Sequence, residues 1–349
     1  MEMTSERSSS VGPADKSDRD LWRRLLAPKP VVYTLLLIGV VVLSAAYDVR
    51  KSGIFACPAS GYGSDSYLSY CEATGYGDYD HGAFWFGLEP TASEAATSAD
   101  VLIVGNSRTQ LAFSDSRTAG WFESRRVRYF LLGFNYNNNI VFEAPLLRKL
   151  APRARVYVVN LDGFFDQMTS PPVQVVFGDS AARNLYVQKR DWQPTHRFLC
   201  GRVPSLCRDE HVIYRSRATG AWHLAGGQLR ITPVSYDGAV TNPDTLDAFI
   251  ASGRKFLELL PVGRECIILT QVPTVKTDTA SANTIAAGLG LELIMPHSER
   301  LKTFDGSHLD LPSAERWSAA FFDAAGPRIE RCLAAAHTGS PGGDRVAGR

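Results

Sequence analysis

An uninterrupted apolar stretch near the N-terminus most restricts how this chain can fold. Residues 30–47 (PVVYTLLLIGVVVLSAAY) contain no charged side chain. A helix of this length rises about 27 Å, which is close to the thickness of the hydrocarbon core of a bilayer. Soluble helices seldom continue for about five turns without a charge. The stretch therefore predicts one transmembrane helix rather than a buried core helix.

The charges on either side of this stretch predict its orientation. Six basic residues precede it, and two follow it directly. Because basic segments are retained in the cytoplasm, we expect residues 1–29 to form a disordered cytoplasmic tail. The rest of the chain is then periplasmic or otherwise extracytoplasmic, tethered to the cell inner membrane by a single pass. A cleaved signal peptide is the competing interpretation, since Ser44-Ala45-Ala46 resembles a cleavage site, but the leader is long for one.

Export changes the interpretation of the six cysteines. In an oxidising compartment, Cys57 with Cys71 and Cys200 with Cys207 are spaced to close short loops as disulfides, although spacing leaves the connectivity open. Cys266 begins an apolar run typical of a core strand, so we expect it to be a buried thiol. The sequence contains no CxxC pair and no Cys/His spacing typical of zinc, so it predicts no metal site and no cofactor.

After residue 98, short apolar runs alternate with segments of helical periodicity. The runs that predict buried strands are 101–105, 127–132, 155–161 and 266–272, with a weaker fifth at 291–295. The segments that predict helices are 137–150, 244–260 and 312–334. Strands that alternate with helices form parallel βαβ crossovers, so the predicted fold class is α/β with a doubly wound parallel sheet.

The segments around this alternation complete the predicted domain plan. Residues 48–98 form an extracytoplasmic juxtamembrane region, residues 99–335 the α/β domain, and residues 336–349 a disordered tail. Within the domain, residues 163–243 interrupt the alternation and show no clear crossover helix. An insertion after a central strand lies where such folds bind ligands. We therefore expect either a lid over the site or a peripheral subdomain.

Two polar segments lie where a nucleophilic site can form. Ser107 follows the first strand on a turn (VLIVGNSRTQ), which exposes a hydroxyl at the carboxyl edge of the sheet; a plain helix cap is the alternative. Asp305-Gly-Ser-His308 precedes the terminal helix. This spacing lets the carboxylate hold Nδ1 of the histidine and leaves Nε2 facing the serine. An Asx turn with an incidental histidine is the alternative.

Together, a serine turn after the first strand and a late DxxH resemble the SGNH hydrolase superfamily over residues 100–335. The resemblance implies a flavodoxin-like sheet and the activity of a serine esterase or O-acyltransferase. It also implies a catalytic triad of Ser107, His308 and Asp305. The chain has GNSR where the family commonly has a GDS opening, so Asn106 stands at the position of the family's aspartate.

The resemblance further implies an oxyanion hole. It assigns one backbone N–H to Gly133, in FLLGFNYNNN. The family's Gly-x-Asn-Asp block falls on Asn160-Leu161-Asp162-Gly163, which puts Asp162 where the asparagine belongs. An ionised carboxylate would repel an oxyanion. We therefore expect either that Asn160 supplies the side chain or that the hole consists of the backbone N–H groups of Ser107 and Gly133.

The resemblance also suggests a substrate and a partner. Membrane-anchored proteins of this kind act on cell-surface polysaccharides, which implies an acylated or acyl-accepting glycan. Several work beside a multi-pass membrane O-acyltransferase. Transfer and hydrolysis share one acyl-enzyme, and the sequence leaves that choice open. A catalytically silent scaffold or binding subunit of a polysaccharide assembly complex is the alternative function.

Two further features bear on ligands. The NYNNN run at residues 135–139 predicts a helix cap, with a sugar site as the alternative. A formal net charge of +1 provides no general attraction to nucleic acid, which we do not expect as a partner.

The predicted topology can be tested with a reporter. Alkaline phosphatase fused after Arg349 should be active, because its disulfides form only in an oxidising compartment. The same reporter fused after Lys29 should be inactive and serves as the matched control. If only a cytoplasmic reporter is active at the C-terminus, the export hypothesis and the predicted disulfides are both wrong.

Overall fold

A computed structural model describes residues 30–72, 75–207, 210–225 and 230–338, in two units that divide after Lys51. In the first unit, helix α1 runs over Pro30–Ser52. Its segment Pro30–Asp48 is long and apolar enough to cross a membrane, and the large apolar side chains between Val31 and Tyr47 are exposed. The helix thus begins where the sequence predicts a membrane span. The predicted tail 1–29 lies outside the described residues.

The second unit alternates strands and helices. Among its described residues, the strands are β1 Ser66–Cys71, β2 Gly77–Asp78, β3 Val101–Asn106, β4 Tyr129–Phe134, β5 Val156–Asn160, β6 Val212–Ser216, β7 Trp222–Ala225, β8 Thr232–Pro233, β9 Ile267–Thr270 and β10 Lys302–Thr303. The helices are α2 Asp80–Trp85, α3 Pro90–Ser98, α4 Ser107–Phe113, α5 Ser116–Arg125, α6 Ile140–Leu150, α7 Pro171–Gly178, α8 Ala182–Arg202, α9 Pro243–Leu257, α10 Thr279–Leu289 and α11 Leu311–Thr338. The chain is therefore an α/β protein, as the sequence predicts.

The central sheet is parallel, with strand order β4-β3-β5-β9. All four predicted strong strands belong to it, so their carboxyl ends meet at one edge. The weaker fifth strand, 291–295, forms only one parallel bridge, between Leu269 and Leu293. Gly290 ends helix α10 in a left-handed conformation and Pro296 follows soon after, which leaves too few residues for a ladder.

Helices cover both faces of this sheet, and this explains why its strands are continuous apolar runs. Side chains alternate between the faces. Val104 and Val159 pack in one buried cluster, whereas Ile103 and Val158 pack in the other. Helix α11 closes the second cluster through Trp317 and neighbouring aromatic side chains.

A second, antiparallel sheet joins the juxtamembrane region to the insertion, with strand order β2-β1-β6-β7. The sequence treats residues 48–98 and 163–243 as separate features, but β1 from the first pairs with β6 from the second. Arg215 of β6 is fully buried; its Nη1 donates to Asp80 at 2.7 Å and to the carbonyl of Gly133 at 3.2 Å. This side chain ties the second sheet to β4 of the first.

The insertion contains helices α7 and α8, which the sequence analysis did not predict. Helix α8 is polar and has Pro194 in its interior, so it has little helical signal. It buries a single stripe made by Tyr186, Gln193, His196 and Cys200. The terminal helix continues to Thr338, so the tail predicted from residue 336 begins inside a helix.

All six cysteines are paired, as Cys57–Cys71, Cys200–Cys207 and Cys266–Cys332. The prediction of a buried thiol at Cys266 is therefore wrong. Cys266 ends a 3-10 turn just before β9 instead of lying within the strand, and from there its side chain reaches helix α11. The disulfide fastens this helix to the sheet.

Removing the Cys266–Cys332 disulfide should destabilise the protein more than removing Cys200–Cys207. The two bonds span 66 and 7 residues of sequence. On the loop-entropy account, the losses are about 4 and about 2.5 kcal/mol. Urea unfolding of the two double-alanine variants, each made in the full chain, measures the difference. Equal losses in the free energy of unfolding, or a larger loss for the shorter loop, would contradict the prediction from loop length.

Candidate active site

The turn between β3 and α4 positions Ser107 at the carboxyl edge of the parallel sheet. The side chain of Asn106 makes two hydrogen bonds there. Its Oδ1 accepts from the N–H of Arg108 at 3.0 Å, which caps helix α4, and its Nδ2 donates to the carbonyl of Asp162 at 2.9 Å. An aspartate could cap the helix but could not donate to a carbonyl. The asparagine thus fastens the nucleophile turn to the segment after β5.

Two glycines that lie opposite each other make room for this turn. A Cβ on Gly105 would lie 2.2 Å from Oγ1 of Thr109, and one on Gly133 would lie 2.9 Å from the carbonyl oxygen of Asn106. Both positions therefore require glycine for helix α4 to pack closely against the strands. Gly133 lies within β4, and its carbonyl accepts from Nε2 of Gln110 at 2.8 Å.

The loop before α11 holds the other two predicted residues in a tight turn. Oδ1 of Asp305 accepts from the backbone N–H groups of Ser307 at 2.9 Å and His308 at 2.8 Å. Oδ2 of Asp305 lies 2.6 Å from Nδ1 of His308. Gly306 takes the left-handed conformation, with φ of 88°, that the turn requires. The Asx turn that stood as the alternative is thus present, and it orients the histidine.

The structure brings Ser107, His308 and Asp305 together. Nε2 of His308 lies 2.8 Å from Oγ of Ser107, across 201 residues of sequence. With Nδ1–H donating to Asp305, the lone pair of Nε2 is left to accept the serine proton. Ser107 is buried, and the ring of Phe304 stacks beside the imidazole. This arrangement can deprotonate the serine as it attacks an electrophile.

The ionisation of Asp305 suits this arrangement. Partial burial alone would raise the pKa of its carboxyl group, but the hydrogen bond and charge of His308 and the two backbone N–H groups lower it to about 2. Asp305 therefore remains ionised at neutral pH. An ionised partner fixes the imidazole tautomer and stabilises the imidazolium that forms when His308 takes a proton.

A cavity of about 340 Å³ lies beside the nucleophile turn. Asn106 and Arg108, the neighbours of Ser107, form part of its wall. Tyr136 and Asn137, both in the left-handed conformation, line it from the loop after β4. Residues 162–171 form another wall, so the start of the insertion borders the cavity, whereas its strands β6 and β7 belong to the second sheet and β8 pairs with β10. A lid role for this part of the insertion stays a prediction.

The ion pair between Arg108 and Asp162 is a feature that the sequence analysis missed. Nη1 of Arg108 contacts Oδ2 of Asp162, and its Nε donates to Oγ of Ser307 at 2.8 Å. Asp162 occupies the position expected to repel an oxyanion, and the guanidinium compensates its charge. The sequence does show a basic residue directly after Ser107. Only the fold shows that its ion-pair partner is Asp162.

The two residues predicted for the oxyanion hole lie deeper than the cavity wall. Asn160 is fully buried; its Oδ1 accepts from the N–H of Val272 at 3.2 Å, and its Nδ2 has no partner among the described residues. The N–H of Ser107, at the first position of α4, has no acceptor within the helix.

The residues of the NYNNN run have different roles. Asn139 caps α6, as predicted, while Tyr136 and Asn137 line the cavity.

One group in the described residues has the spacing of metal ligands: His196, Cys200 and Cys207. Both sulfurs are joined in a disulfide, and Nε2 and Nδ1 of His196 meet the carbonyl of Cys57 and the hydroxyl of Tyr62. The group is therefore part of the packing.

Comparisons with protein-family models, with curated proteins and with solved structures find no match to this chain.

The Arg108–Asp162 pair should control the reactivity of Ser107. In Arg108→Ala, the carboxylate of Asp162 is left unpaired beside any negative charge that develops on the electrophile, so phosphonylation of Ser107 by a fluorophosphonate should slow at least about tenfold. Asp162→Asn removes that carboxylate, so adding it to Arg108→Ala should raise the phosphonylation rate about tenfold. Rates from a double-mutant cycle measure this coupling. A double variant no faster than Arg108→Ala would show that the pair does not act through charge.

Proposed function

We propose that this chain is an SGNH-type serine esterase or O-acyltransferase, anchored in the cell inner membrane with its α/β unit in the periplasm. The observation that carries the proposal is the hydrogen-bonded series from Ser107 through His308 to Asp305, with contacts of 2.8 and 2.6 Å. A serine, an imidazole and an oriented carboxylate in this order are the components of acyl transfer through a covalent intermediate.

The sheet supports the family assignment. Numbered from β3, the strands lie in the order 2-1-3-4, and the bridge at Leu293 adds a fifth position beside β9. This order agrees with the proposed flavodoxin-like topology, in which ligands bind at the point where the strand order reverses. Here that point lies between β3 and β5, where Ser107 is placed. The position of the serine therefore agrees with the general rule for such sheets.

The proposed reaction proceeds in two halves. His308 takes the proton of Ser107 as its Oγ bonds to the acyl carbon of an ester, and the carbonyl oxygen becomes an oxyanion. The intermediate collapses with loss of the alcohol, which receives the proton from His308, and an acyl-serine remains. Water or a sugar hydroxyl then gives a proton to His308 and attacks the acyl-serine, and the second intermediate expels Oγ of Ser107, which recovers the proton from His308. Water completes hydrolysis, whereas a sugar hydroxyl completes O-acyl transfer.

The lining of the cavity supports a glycan as the other reactant. Its volume of about 340 Å³ is in the range of small-ligand sites. Amide, hydroxyl and carboxylate groups line it together with the half-exposed ring of Tyr136. Such groups accept from and donate to sugar hydroxyls. An acylated or acyl-accepting polysaccharide is therefore the proposed substrate, with a multi-pass membrane O-acyltransferase as the proposed partner in the transfer reaction.

One observation favours a second candidate, a catalytically silent scaffold that binds the polysaccharide. Asp162 stands where the family places a donor to the oxyanion, so this contribution to catalysis is absent. Its pairing with Arg108 removes the repulsion but supplies no asparagine donor at that position. A direct test of the nucleophile separates the two candidates.

A fluorophosphonate should label the full chain at Ser107, because His308 activates that hydroxyl. Ser107→Ala should abolish the labelling and the cleavage of a small acetyl ester. His308→Ala and Asp305→Asn should each slow both by about 10²–10⁴-fold. Intact-mass measurement and ester hydrolysis provide the readouts.

Ser116→Ala is the matched control, since Ser116 is an exposed serine at the start of the next helix. It should leave the labelling as it is. The folded fraction of each variant is measured by circular dichroism, because a changed helix start costs about 1 kcal/mol. A folded wild-type chain that neither reacts with the probe nor cleaves an acyl ester would exclude the enzyme and leave the scaffold.

A further inference from the structure

The C-terminal end of helix α8 carries a cluster of exposed apolar side chains. Phe198, Val203 and Leu206 expose 59%, 44% and 56% of their surfaces. The disulfide between Cys200 and Cys207 closes the turn that follows the helix. We refer to residues 197–207 as the stapled tip. Large apolar side chains grouped on a rigid frame commonly mark an interaction surface.

The stapled tip cannot turn its apolar groups inward. The inner face of α8 is already occupied by the buried stripe that ends at His196 and Cys200. Cys200 itself is buried, and its disulfide fixes the return of the chain at Cys207. Phe198 and the turn after the helix therefore face away from the core of this unit.

The base of the stapled tip lies where the chain enters the second unit from helix α1. Nε2 of His196 lies 2.8 Å from the carbonyl oxygen of Cys57, and the ring of Phe55 lies 5.8 Å from the imidazole. The carbonyl oxygen of Gly53 lies 3.7 Å from Sγ of Cys57. Residues 53–57 thus form a compact turn against the helix, one turn before the disulfide.

The distance from this turn to the membrane is short. The apolar segment of α1 ends at Asp48, five residues before Gly53. Five residues span at most about 18 Å even when fully extended. From His196 to Arg202, helix α8 adds about 9 Å beyond its contact with Cys57. Chain length alone therefore allows the stapled tip to contact the bilayer surface that the apolar segment would cross.

The charges on the stapled tip suit a lipid surface. The guanidinium of Arg202 lies 4.9 Å over the ring of Phe198, and that of Arg197 lies 5.6 Å over Tyr62. Apolar side chains flanked by arginine are typical of segments that lie in the interface of an anionic bilayer. The arginine head groups remain at the phosphates while the apolar groups enter the acyl boundary.

We propose that the stapled tip inserts into the surface of the anionic phospholipid bilayer in which α1 is anchored. The domain then has two membrane attachments, one by a spanning helix and one by a rigid apolar tip. Two attachments restrict its rotation about the anchor, so the active-site cavity keeps one orientation to the membrane. This inference concerns orientation and depends on α1 crossing the membrane, not on the proposed chemistry.

Photolabelling of the full chain from within the lipid tests this proposal. The chain is reconstituted in phosphatidylethanolamine–phosphatidylglycerol vesicles that contain a phospholipid with a diazirine in its acyl chain, and labelled peptides are identified by mass spectrometry. Label should appear in residues 30–47 and in residues 197–207. Ile231 and Val240 are equally exposed, at 50% and 64%, and should remain unlabelled as internal controls.

Paired variants show whether apolar contact causes the labelling. The double variant Phe198→Ser with Leu206→Ser should reduce label in the stapled tip at least about tenfold. Each apolar side chain that enters the lipid strengthens membrane binding by about that factor. Phe198→Leu, which keeps the apolar character, should retain most of it. Label in residues 30–47 reports the anchor in every sample, and phosphonylation of Ser107 reports the proposed chemistry separately.

Three results would overturn the proposal. The first is label in residues 30–47 with none in residues 197–207. The second is equal label around Ile231 and Val240, which would indicate adsorption without a specific contact. The third is a stapled tip that takes no lipid label in vesicles but cross-links to a membrane protein in cells, which would make a protein its partner.

Discussion

The sheet edge that carries the candidate site depends on the two hydrogen bonds made by the side chain of Asn106. One caps helix α4, and the other holds the carbonyl of Asp162 after the neighbouring strand. Together they set the direction in which Ser107 projects and the distance between two strand ends. Arg108 and Asp162, which these bonds bring near each other, then pair across the same gap. A polar network at this edge is stable because every strand behind it is buried on both faces.

The second sheet supports strand β4, which lies next to the candidate site. Arg215 is buried without exposure to solvent and is paired with Asp80, while its guanidinium donates to carbonyls of β4. A buried charge costs least when an opposite charge and hydrogen bonds accompany it, as they do at the two Nη groups of this side chain. Strand β4 also carries Gly133, against which the nucleophile helix packs. The segment between helix α1 and the α/β domain therefore forms part of the support of the candidate site.

Local sequence patterns predict the parallel strands and the terminal helix, whereas the proximity of Ser107 to Asp305 and His308 was predicted from a family resemblance. Continuous apolar runs identify buried parallel strands, and a short DxxH spacing restricts how a carboxylate can meet an imidazole. The pairing of β1 with β6, the Cys266–Cys332 bond and the Arg108–Asp162 contact all join residues far apart in sequence. No periodicity encodes such contacts. Helix α8 escaped prediction because its polar sequence buries only one narrow stripe.

If the chain is exported as proposed, the Cys266–Cys332 disulfide affects the order in which it matures. Ser107 emerges long before His308, and the helix that follows His308 is secured to the sheet only when Cys332 is available. A chain halted partway through export therefore presents its serine without a base. On this proposal, a copy that stops before His308 has emerged would occupy the membrane without reacting with the surrounding envelope.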